Sequence, residues 1–377
     1  MRLSDEQRLL QETARQFARN ELAPHAAAWD REARFPAEAI AELGRLGFMG
    51  MVVPPEHGGA GADHVGYAVA IEEIAAADGA TSTILAVNSL CCMVVLGYGS
   101  EEQKQRFLRP MAEGEMLAAF CLTEPQAGSD AAAIKARARG HGNRWVLNGT
   151  KQFITSGSTA KVALVFAVTD PDAGRRGISA FLVPTDTAGY RVARLEHKLG
   201  QRASDTAQLV FEDVELTPDL LLGQEGEGYR IALANLEGGR IGIAAQAVGM
   251  ARAAYEAALA YAKERESFGR KLIEHQAVAF RLADMATQLA AARGLVLDAA
   301  ARRDAGEPAL QAAAMAKLFA SEMAERVASD AIQIHGGYGY LADFPIERIW
   351  RDVRVCQIYE GASDIQRMLI AREIARE

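Results

Sequence analysis

The sequence predicts a multidomain α+β protein with an N-terminal helical domain, a middle antiparallel β-barrel or sandwich domain, and a C-terminal helical bundle. Three observations lead to this prediction. Apolar residues recur at helical spacing in residues 1–118, short β-branched and aromatic runs replace them in residues 119–228, and long Ala-rich stretches fill residues 229–377. A chain of 377 residues is also long enough to form more than one hydrophobic core.

The first domain begins with an amphipathic helix and contains one long uncharged segment. Ser4 and Gln7 are spaced as a capping box, which predicts a helix N-terminus at this point. Residues 79–100, GATSTILAVNSLCCMVVLGYGS, carry no charge, but Thr81, Asn88 and other polar residues interrupt them and no basic cluster flanks them. We therefore expect a helix buried inside the protein rather than a membrane span.

The middle domain is predicted from strand and turn signals. RWVLNGTKQFIT, residues 144–155, places Asn148 and Gly149 between two apolar runs, which predicts a hairpin of two strands. The further strands expected are KVALVFAV, GISAFLVP, YRVARLE and TAQLVFEDVEL, which lie between Gly, Pro and Asp turns. Because no helical segment separates these runs, an antiparallel sheet is expected rather than a Rossmann fold.

Charge and cysteine content limit the possible partners. The formal net charge is −8, which provides no general attraction to nucleic acid or to an anionic membrane. The N-terminal residues are charged and lack the apolar segment of a signal peptide. The four cysteines, Cys91, Cys92, Cys121 and Cys356, form no CxxC pair. We expect a cytoplasmic protein with reduced, mostly buried thiols, no metal site, and neither nucleic acid nor membrane as a partner.

Four segments carry groups suited to a planar, phosphate-bearing ligand. FCLTEPQAGSD (residues 120–130) offers the Thr123 and Ser129 hydroxyls, and KQFITSG (residues 151–157) offers the Phe153 ring for stacking. RESFGR begins with Arg265, whose guanidinium fits phosphate oxygens. QIHGGYGY (residues 333–340) is glycine-rich but follows no strand, so it is not a dinucleotide fingerprint. On composition alone, each segment also fits an ordinary loop, core strand or helix end.

YEGASDIQR, residues 359–367, places Glu360 in a loop ahead of the last helix. Ser363 and Gln366 have capping-box spacing, which predicts where that helix starts, and the preceding VCQIY is apolar enough to be buried. Two interpretations remain open. Glu360 is either an ordinary solvated acid or a buried base, whose pKa desolvation raises towards about 6–7, as proton abstraction at neutral pH requires.

The sequence resembles the acyl-CoA dehydrogenase family over essentially its whole length, and its short-chain and branched short-chain members in particular. The matching segments, in order, are CLTEPQAGSDA, NGTKQFITSG, RESFGRKLIEHQ, QIHGGYGY, ERIWRDVRV and YEGASDIQR. The resemblance implies a helical domain, a β domain and a four-helix bundle, assembled as a homotetramer. It also implies FAD, bound between the β domain and the bundle with help from a neighbouring subunit.

The resemblance assigns roles to individual residues. Glu360 matches the catalytic base. Residues at FAD-contact positions are Phe120, Cys121, Leu122, Thr123, Gly128, Ser129, Phe153, Ile154, Thr155, Arg265, Phe268, Gln276, Gln333, Gly336, Gly337, Ala362, Ser363 and Asp364. Residues at acyl-CoA-contact positions are Ser129, Glu237, Arg240, Tyr359 and Gly361. Three positions depart from the family pattern, since Phe153 stands where many members have Trp, Glu237 where Asp is common, and Ala362 where Thr is common.

The reaction implied by the resemblance is the dehydrogenation of a short-chain acyl-CoA thioester, straight or α-branched, to the trans-2-enoyl-CoA. Glu360 would remove the pro-R α-proton while the β-carbon gives a hydride to the flavin. The flavin ribityl hydroxyl and the backbone N–H of the base would polarise the thioester oxygen. The electrons would then pass to electron-transfer flavoprotein.

Rival interpretations remain open at the level of sequence. An acyl-CoA oxidase would use oxygen in place of electron-transfer flavoprotein, although the larger oxidases usually carry an extra C-terminal domain. Related flavin monooxygenases lack this base and nitroalkane oxidases use Asp, so Glu360 disfavours both. A nucleic-acid-associated relative would need a basic patch, which the net charge of −8 disfavours.

Overall fold

The computed structural model describes residues 2–376 and shows helices, a sheet and helices in the predicted order. Met1 and Glu377, which begin the predicted N-terminal domain and end the predicted C-terminal domain, lie outside the described residues. The helices are α1 (Asp5–Phe17), α2 (Ala26–Glu32), α3 (Ala37–Arg45), α4 (His64–Ala77), α5 (Gly79–Tyr98), α6 (Glu101–Gln103), α7 (Arg109–Ala112), α8 (Gly228–Glu264), α9 (Gln276–Asp304), α10 (Leu310–His335), α11 (Ile346–Val353) and α12 (Ser363–Ile374). The strands are β1 (Ala118–Cys121), β2 (Arg137–His141), β3 (Arg144–Thr155), β4 (Val162–Val168), β5 (Ile178–Pro184), β6 (Tyr190–Leu195), β7 (Thr206–Leu216), β8 (Leu221–Leu222), β9 (Glu266–Ser267) and β10 (Arg270–Lys271).

The first helix starts where its capping box predicts. Ser4 Oγ accepts a hydrogen bond from the Gln7 N–H at 3.1 Å, and Gln7 Oε1 accepts one from the Ser4 N–H at 2.9 Å. These two bonds satisfy N–H groups that the first turn of a helix leaves without a partner. The predicted N-terminus of α1 is therefore confirmed.

Helix α5 contains the uncharged segment and lies in the core. Within residues 2–376 it is the one helix long and apolar enough to cross a membrane, but 83% of its most apolar window is buried inside the protein. Its polar side chains have internal partners. The Asn88 amide donates to the carbonyls of Met49 (3.3 Å) and Met111 (3.2 Å) and accepts from the Ala118 N–H at 3.1 Å. The prediction of a buried helix is confirmed, and the four cysteines are also buried and unpaired.

The middle region is a mostly antiparallel sheet with the strand order β6-β7-β3-β2-β4-β5-β8, and β1 pairs with β4 off this path. The four strands predicted downstream of residue 155 are all present, as β4 to β7. Two strand pairings are parallel, namely β1 with β4 and β2 with β4. Strands β1 and β2 were missed by sequence reasoning because each is only four or five residues long.

The predicted hairpin at Asn148 and Gly149 is wrong. Residues Arg144–Thr155 form one continuous strand, β3, and the pairing register with β7 shifts between Leu147 and Gly149. Gly149 has φ +150°, and a Cβ there would lie 2.6 Å from Ala136. The Asn148 amide group also pairs with Asp213 of the neighbouring strand. Asn-Gly therefore makes a bulge in a long strand rather than a turn between two strands.

The C-terminal region is a helical bundle that also contacts the first region. Helices α8, α9 and α10 pack against one another, α12 packs on α10, and α4 packs on α8 and α9. Helix α8 runs from Gly228 to Glu264. Asp304, at the end of α9, accepts from the N–H groups of His64 (2.7 Å) and Val65 (3.1 Å), which lie in the first turn of α4. One carboxylate of the bundle thus caps a helix of the N-terminal region.

Candidate active site

Glu360 lies in a strained turn between a 3₁₀ segment (Arg354–Gln357) and α12. The φ angles are +54° at Glu360 and +87° at Gly361, so both residues adopt the left-handed conformation. For a residue with a side chain, that conformation costs about 1–2 kcal/mol. Such a turn persists only where surrounding contacts hold it in place.

Two buried side chains hold the carbonyls of this turn. The Gln366 amide donates to Glu360 O at 3.1 Å and to Gly361 O at 2.8 Å, and the Lys317 ammonium donates to Gly361 O at 2.7 Å. The predicted capping box of Ser363 and Gln366 is wrong. The N-cap position of α12 is Ala362, without a side-chain cap, because the Gln366 amide is engaged by the preceding turn.

Tyr359, the residue before Glu360, joins a buried polar network. Its phenol donates to Gln246 Oε1 of α8, lies 3.4 Å from Thr83 Oγ1 of α5, and accepts from Gln201 Nε2 at 3.3 Å. Gln201 lies between β6 and β7, so the network joins all three regions of the chain. Tyr359 is therefore held in one position from three sides.

Asp352 extends this network on the far side of Gln201. Its carboxylate accepts from the Gln201 backbone N–H, and its backbone carbonyl accepts from Gln201 Nε2 at 3.2 Å. Burial raises the pKa of Asp352 to about 7, against the opposing effects of Arg348 and of the Gln201 N–H. This carboxyl group thus titrates near neutral pH.

Glu360 is half-buried, and one oxygen of its carboxylate is buried without a partner among the described residues. Its Oε2 atom is buried and accepts no hydrogen bond within residues 2–376. Helix α8 passes directly beside it at Gly239, where a Cβ would lie 2.8 Å from Oε2. Burial raises the pKa of Glu360 above its ordinary value, while the charges of Arg240 and Lys317 lower it. A carboxylate with a buried, unpaired oxygen and a raised pKa has the properties of a general base.

Two donors beside this carboxylate are also free. The backbone N–H of Glu360 donates to no acceptor in the described part of the chain. Arg240 is 5% exposed, and its Nε and Nη1 atoms are buried without a partner there. Because buried donors are nearly always satisfied in folded proteins, the two Arg240 nitrogens indicate a binding site for an acceptor-rich ligand.

The two segments predicted to contact the flavin ring lie side by side. The Gln152 N–H donates to Thr123 O at 2.9 Å, and Lys151 Nζ donates to Leu122 O at 3.0 Å. Lys151 also pairs with the buried Glu124 carboxylate at 2.8 Å. These bonds fix the loop after β1 against the end of β3.

Within these segments, side chains divide between the core and the surface. Cys121, Leu122 and Ile154 are buried, so their side chains belong to the core. The side chains of Phe120, Thr123 and Thr155 are partly exposed, and Gly128 and Ser129 are exposed. Phe153 has φ +60° and is 64% exposed, an arrangement that leaves its ring free to stack on a planar ligand.

Three further predicted flavin contacts, Ala362, Ser363 and Asp364, follow the Glu360 turn directly. Ser363 Oγ is buried and has no hydrogen-bond partner within residues 2–376. This orphaned hydroxyl fits a ligand whose polar atoms reach the start of α12. The exposed Phe153 ring and the Ser363 hydroxyl are therefore compatible with a bound flavin.

A second set of predicted flavin contacts lies near the C-terminal end of α8, and we call it the outward group. It consists of Arg265, Phe268, Gln276, Gln333, Gly336 and Gly337. Arg265 ends α8, about 38 Å along the helix from Arg240, since each helical residue rises about 1.5 Å. Phe268 is 98% exposed at the tip of the β9–β10 hairpin, and the Arg265 guanidinium lies 5.7 Å from the centre of the Tyr338 ring.

The predicted substrate contacts occupy different environments. Tyr359, Gly361 and Arg240 surround Glu360, whereas Ser129 lies on the loop after β1. Glu237 lies one turn before Arg240 on α8 and pairs with Arg303 at 3.3 Å. Arg303 in turn donates to His64 Nε2 at 2.8 Å. The Glu237 carboxylate is thus oriented by a chain of side chains from α9 and α4.

Sequence reasoning missed three residues that support the site, namely Lys317, Gln246 and Gln201. A signal was present for two of them. Lys317 is the one charge in AAAMAKLFA, and Gln246 the one polar residue in IAAQAVG, so each lies among apolar residues on a helix. Gln201 lies in a loop and carries no comparable signal.

Taken together, a carboxylate with a buried, unpaired oxygen, free donors beside it and an exposed aromatic ring on β3 are typical of an enzyme that moves a proton on a bound ligand. Three family models match the chain, namely the N-terminal (residues 4–115), middle (residues 119–214) and C-terminal (residues 226–375) domains of acyl-CoA dehydrogenase. The chain belongs to the acyl-CoA dehydrogenase family and is an enzyme that acts on acyl-CoA.

Individual relatives agree with this assignment. An acyl-CoA dehydrogenase of Bacillus subtilis (strain 168) is 47% identical over 373 residues, covering 99% of this chain and 98% of the relative. The short-chain specific mitochondrial acyl-CoA dehydrogenase of Homo sapiens is 47% identical over 375 residues, covering 99% of this chain and 91% of the relative.

Solved structures are similarly close. Butyryl-CoA dehydrogenase from Megasphaera elsdenii superimposes with a TM-score of 0.98 at 40% identity, and each chain is fully covered. A chain in a structure of the electron transferring flavoprotein of Acidaminococcus fermentans has a TM-score of 0.99 at 44% identity, again with full coverage of both. A glutaryl-CoA dehydrogenase from Mycobacterium smegmatis in complex with FADH2 has a TM-score of 0.95 at 34% identity, covering 100% of this chain and 96% of the other.

Proposed function

We propose that the protein dehydrogenates short-chain acyl-CoA thioesters, straight or α-branched, to trans-2-enoyl-CoA, with Glu360 as the catalytic base. The observation that carries this proposal is the Glu360 carboxylate, whose buried Oε2 atom has no partner in the described chain. Relatives named as short-chain specific and butyryl-CoA dehydrogenases support the short acyl chain. The branched substrates rest on the sequence resemblance alone.

Glu360 takes the α-proton of the bound thioester. Its Oε2 atom is free to accept that proton, and its raised pKa makes the carboxylate a stronger base than a solvated glutamate. The free backbone N–H of Glu360 is suited to donate to the thioester oxygen, where negative charge develops as the proton leaves. One residue thus supplies both the base and an oxyanion donor.

We propose FAD as the cofactor, and it would accept the hydride from the substrate β-carbon when bound. Phe153 would cover the flavin ring, while Thr123, Thr155 and Ser363 would offer hydroxyl groups to its polar edge. The complex of a glutaryl-CoA dehydrogenase with FADH2 supports this cofactor. Arg265 of the outward group lies about 38 Å along α8 from Arg240, so we propose that this group contacts FAD of a neighbouring subunit in a homotetramer.

Electron-transfer flavoprotein is the proposed electron acceptor. The support is the chain of the same fold found in a structure of the Acidaminococcus fermentans electron transferring flavoprotein. Oxygen is the alternative acceptor, which would make the protein an oxidase. Comparing reoxidation of the reduced enzyme by air and by electron-transfer flavoprotein separates the two.

Anaerobic titration of the flavin-loaded protein with butyryl-, isobutyryl-, 2-methylbutyryl- and octanoyl-CoA tests the proposal. We expect the flavin absorbance to bleach with one or more of the short thioesters and to change little with octanoyl-CoA. The same titration of a Glu360→Gln variant should show binding without bleaching. A protein that retains no flavin, or a variant that bleaches at the native rate, would refute the assignment.

A further inference from the structure

Lys317 is a buried lysine without a carboxylate partner. It lies in the N-terminal third of α10 with no exposed surface. Its Nζ atom makes one hydrogen bond, to Gly361 O at 2.7 Å, and no carboxylate oxygen within residues 2–376 lies within 4 Å. Lys151, which is equally buried, differs because it pairs directly with Glu124 at 2.8 Å.

An ammonium group in such a place is expensive to bury, because burial without a counter-ion favours its neutral form. Burial lowers the pKa of Lys317 to about 8, the nearby Cys356 and Glu360 raise it, and Arg240 lowers it. At neutral pH the group therefore still carries most of its charge. Its charge acts on Glu360 from a distance, without occupying the carboxylate oxygens.

We propose that Lys317 is a positioning residue for the Glu360 base. By holding the Gly361 carbonyl, its ammonium stabilises the left-handed turn that presents both the Glu360 carboxylate and the Glu360 backbone N–H. By its charge, it also favours the ionised carboxylate before proton abstraction. This inference rests on the proposed function of Glu360.

The arrangement has a chemical advantage over a direct ion pair. A salt bridge would occupy the oxygens of Glu360 and lower its basicity strongly, whereas a bond to the next carbonyl leaves Oε2 free. Gln366 also donates to Gly361 O, at 2.8 Å, so the turn keeps a tether when Lys317 is replaced. Removal of the lysine charge is therefore expected to alter the chemistry more than the fold.

Lys317→Met is the principal test, because Met has a similar length and no charge. Single-turnover flavin reduction by butyryl-CoA is followed from pH 5.5 to 9.5 in the flavin-loaded protein. We expect the rate at pH 7 to fall roughly 10–100-fold with little change in KM. We also expect the acid limb of the profile to move up by about one pH unit, since Glu360 loses a favourable charge.

The groups whose titration enters this profile are known from the contacts around the turn. Tyr67 of α4, Cys91 of α5 and Arg240 of α8 interact electrostatically with Glu360, and Cys356 interacts in the same way with Lys317. Burial raises the pKa of Tyr67, Cys91 and Cys356. Their titration therefore lies above the acid limb. Asp352, whose pKa burial raises to about 7, titrates within that limb, so the profiles are also recorded in an Asp352→Asn background, where the acid limb reports Glu360. Loss of the Lys317 proton would give the native enzyme an alkaline decline near pH 8 that the Met variant lacks.

Two companion variants separate position from charge. Lys317→Arg keeps the charge and should retain the native acid limb, even if its rate falls. Lys317→Gln keeps a donor for the Gly361 carbonyl without the charge, so its acid limb should shift as in the Met variant. If Lys317→Met does not fold, the Gln variant provides the same test of the acid limb.

An unchanged acid limb in the uncharged variants, with flavin content and melting temperature also native, would overturn the inference. A parallel Glu360→Gln measurement distinguishes that failure from failure of the proposed function. If Glu360→Gln abolishes bleaching while Lys317→Met has a native profile, only the role of Lys317 is lost. If Glu360→Gln still bleaches at the native rate, the proposed base itself is wrong.

Discussion

The Glu360 turn and the outward group are two parts of the same predicted site, but they differ in how far the chain itself packs around them. Around Glu360, the turn carbonyls and the Tyr359 phenol have buried partners within the chain. In the outward group, Phe268 is 98% exposed and Gln276 and Gln333 are exposed as well. One part is completed by folding, while the other presents free surface.

This difference follows from what each part must do. A base with a raised pKa needs burial and fixed geometry, and only a folded core supplies both. Contacts to the part of a large cofactor that lies away from the reacting atoms need only a complementary surface. One subunit can present such a surface to a cofactor bound in its neighbour. Under the proposed function, the chain would prepare the acid–base chemistry alone and would leave part of cofactor retention to assembly. The four predictions below test the two parts separately, in order of decreasing effect.

Glu360→Gln should have the largest effect. We expect the rate of flavin reduction by butyryl-CoA to fall about 10²–10⁴-fold, because the amide cannot accept the α-proton. Flavin content should stay native and the melting temperature should not fall, since a neutral side chain replaces a buried charge. Stopped-flow absorbance measures the rate. Glu212→Gln, on the exposed face of β7, is the matched control, and an equal loss there would show that the effect is not specific.

Gly361→Ala should have the next largest effect. A Cβ at this position would lie 2.7 Å from Gln366 Nε2, and the alanine would have to adopt φ +87°. The turn must therefore shift or lose its hydrogen bond from Gln366. We expect flavin reduction to slow by roughly 10–100-fold with flavin content unchanged. Gly97→Ala is the control, because Gly97 lies on the exposed side of α5 with nothing within 4 Å. Native activity in Gly361→Ala would show that the turn tolerates displacement.

Phe268→Ala tests the outward group. If this ring contacts FAD of a neighbouring subunit, its loss should weaken flavin retention roughly 2–10-fold, with the single-turnover rate of the flavin-loaded enzyme unchanged. The loss should grow on dilution, because the site then depends on association. Flavin fluorescence released at decreasing protein concentration measures it. Leu9→Ala, which is 70% exposed on α1, should behave as the native protein.

Asp352→Asn should have the smallest effect, and on stability. The pKa of Asp352 is about 7 in the folded protein and about 4 when unfolded, so the folded state binds a proton that the unfolded state has lost. Native stability therefore falls as pH rises between these values. Relative to the native protein, the Asn variant should gain about 2–4 °C in melting temperature between pH 5 and 7. A constant difference, or an equal gain in the exposed Asp172→Asn, would contradict this prediction.

Much of the fold follows from local patterns in the sequence, because periodicity reports which face of each element is buried. The α1 capping box, the buried α5 helix and the strands β4 to β7 are all confirmed. The Asn-Gly hairpin failed because a bulge in β3 depends on its pairing with β7, which no local signal describes. The Ser363–Gln366 capping box failed for a similar reason, since the Gln366 amide is used by the turn before the helix.

The site shows the same division. The apolar VCQIY segment and the position of Glu360 before a helix suggested a buried carboxylate, and in the structure Glu360 is half-buried with its Oε2 atom buried. Lys317 contacts Gly361, which lies 44 positions later in the chain. Gln201 contacts Tyr359, which lies 158 positions later. Contacts over such separations depend on how α10 and the β6–β7 loop pack, which periodicity does not predict. The functional roles of the named residues stay predictions until the variants are measured.

The Asp304 cap on α4 has a consequence for how the chain is made. His64 and Asp304 are 240 positions apart, so α4 leaves the ribosome long before the carboxylate that caps two of its N–H groups. At about 5–20 residues per second, the wait is roughly 10–50 s. During that interval the first turn of α4 relies on water and on the Asp63 side chain, which binds the Gly66 N–H at 2.6 Å. The N-terminal region therefore reaches its final form only after most of the bundle has been synthesised.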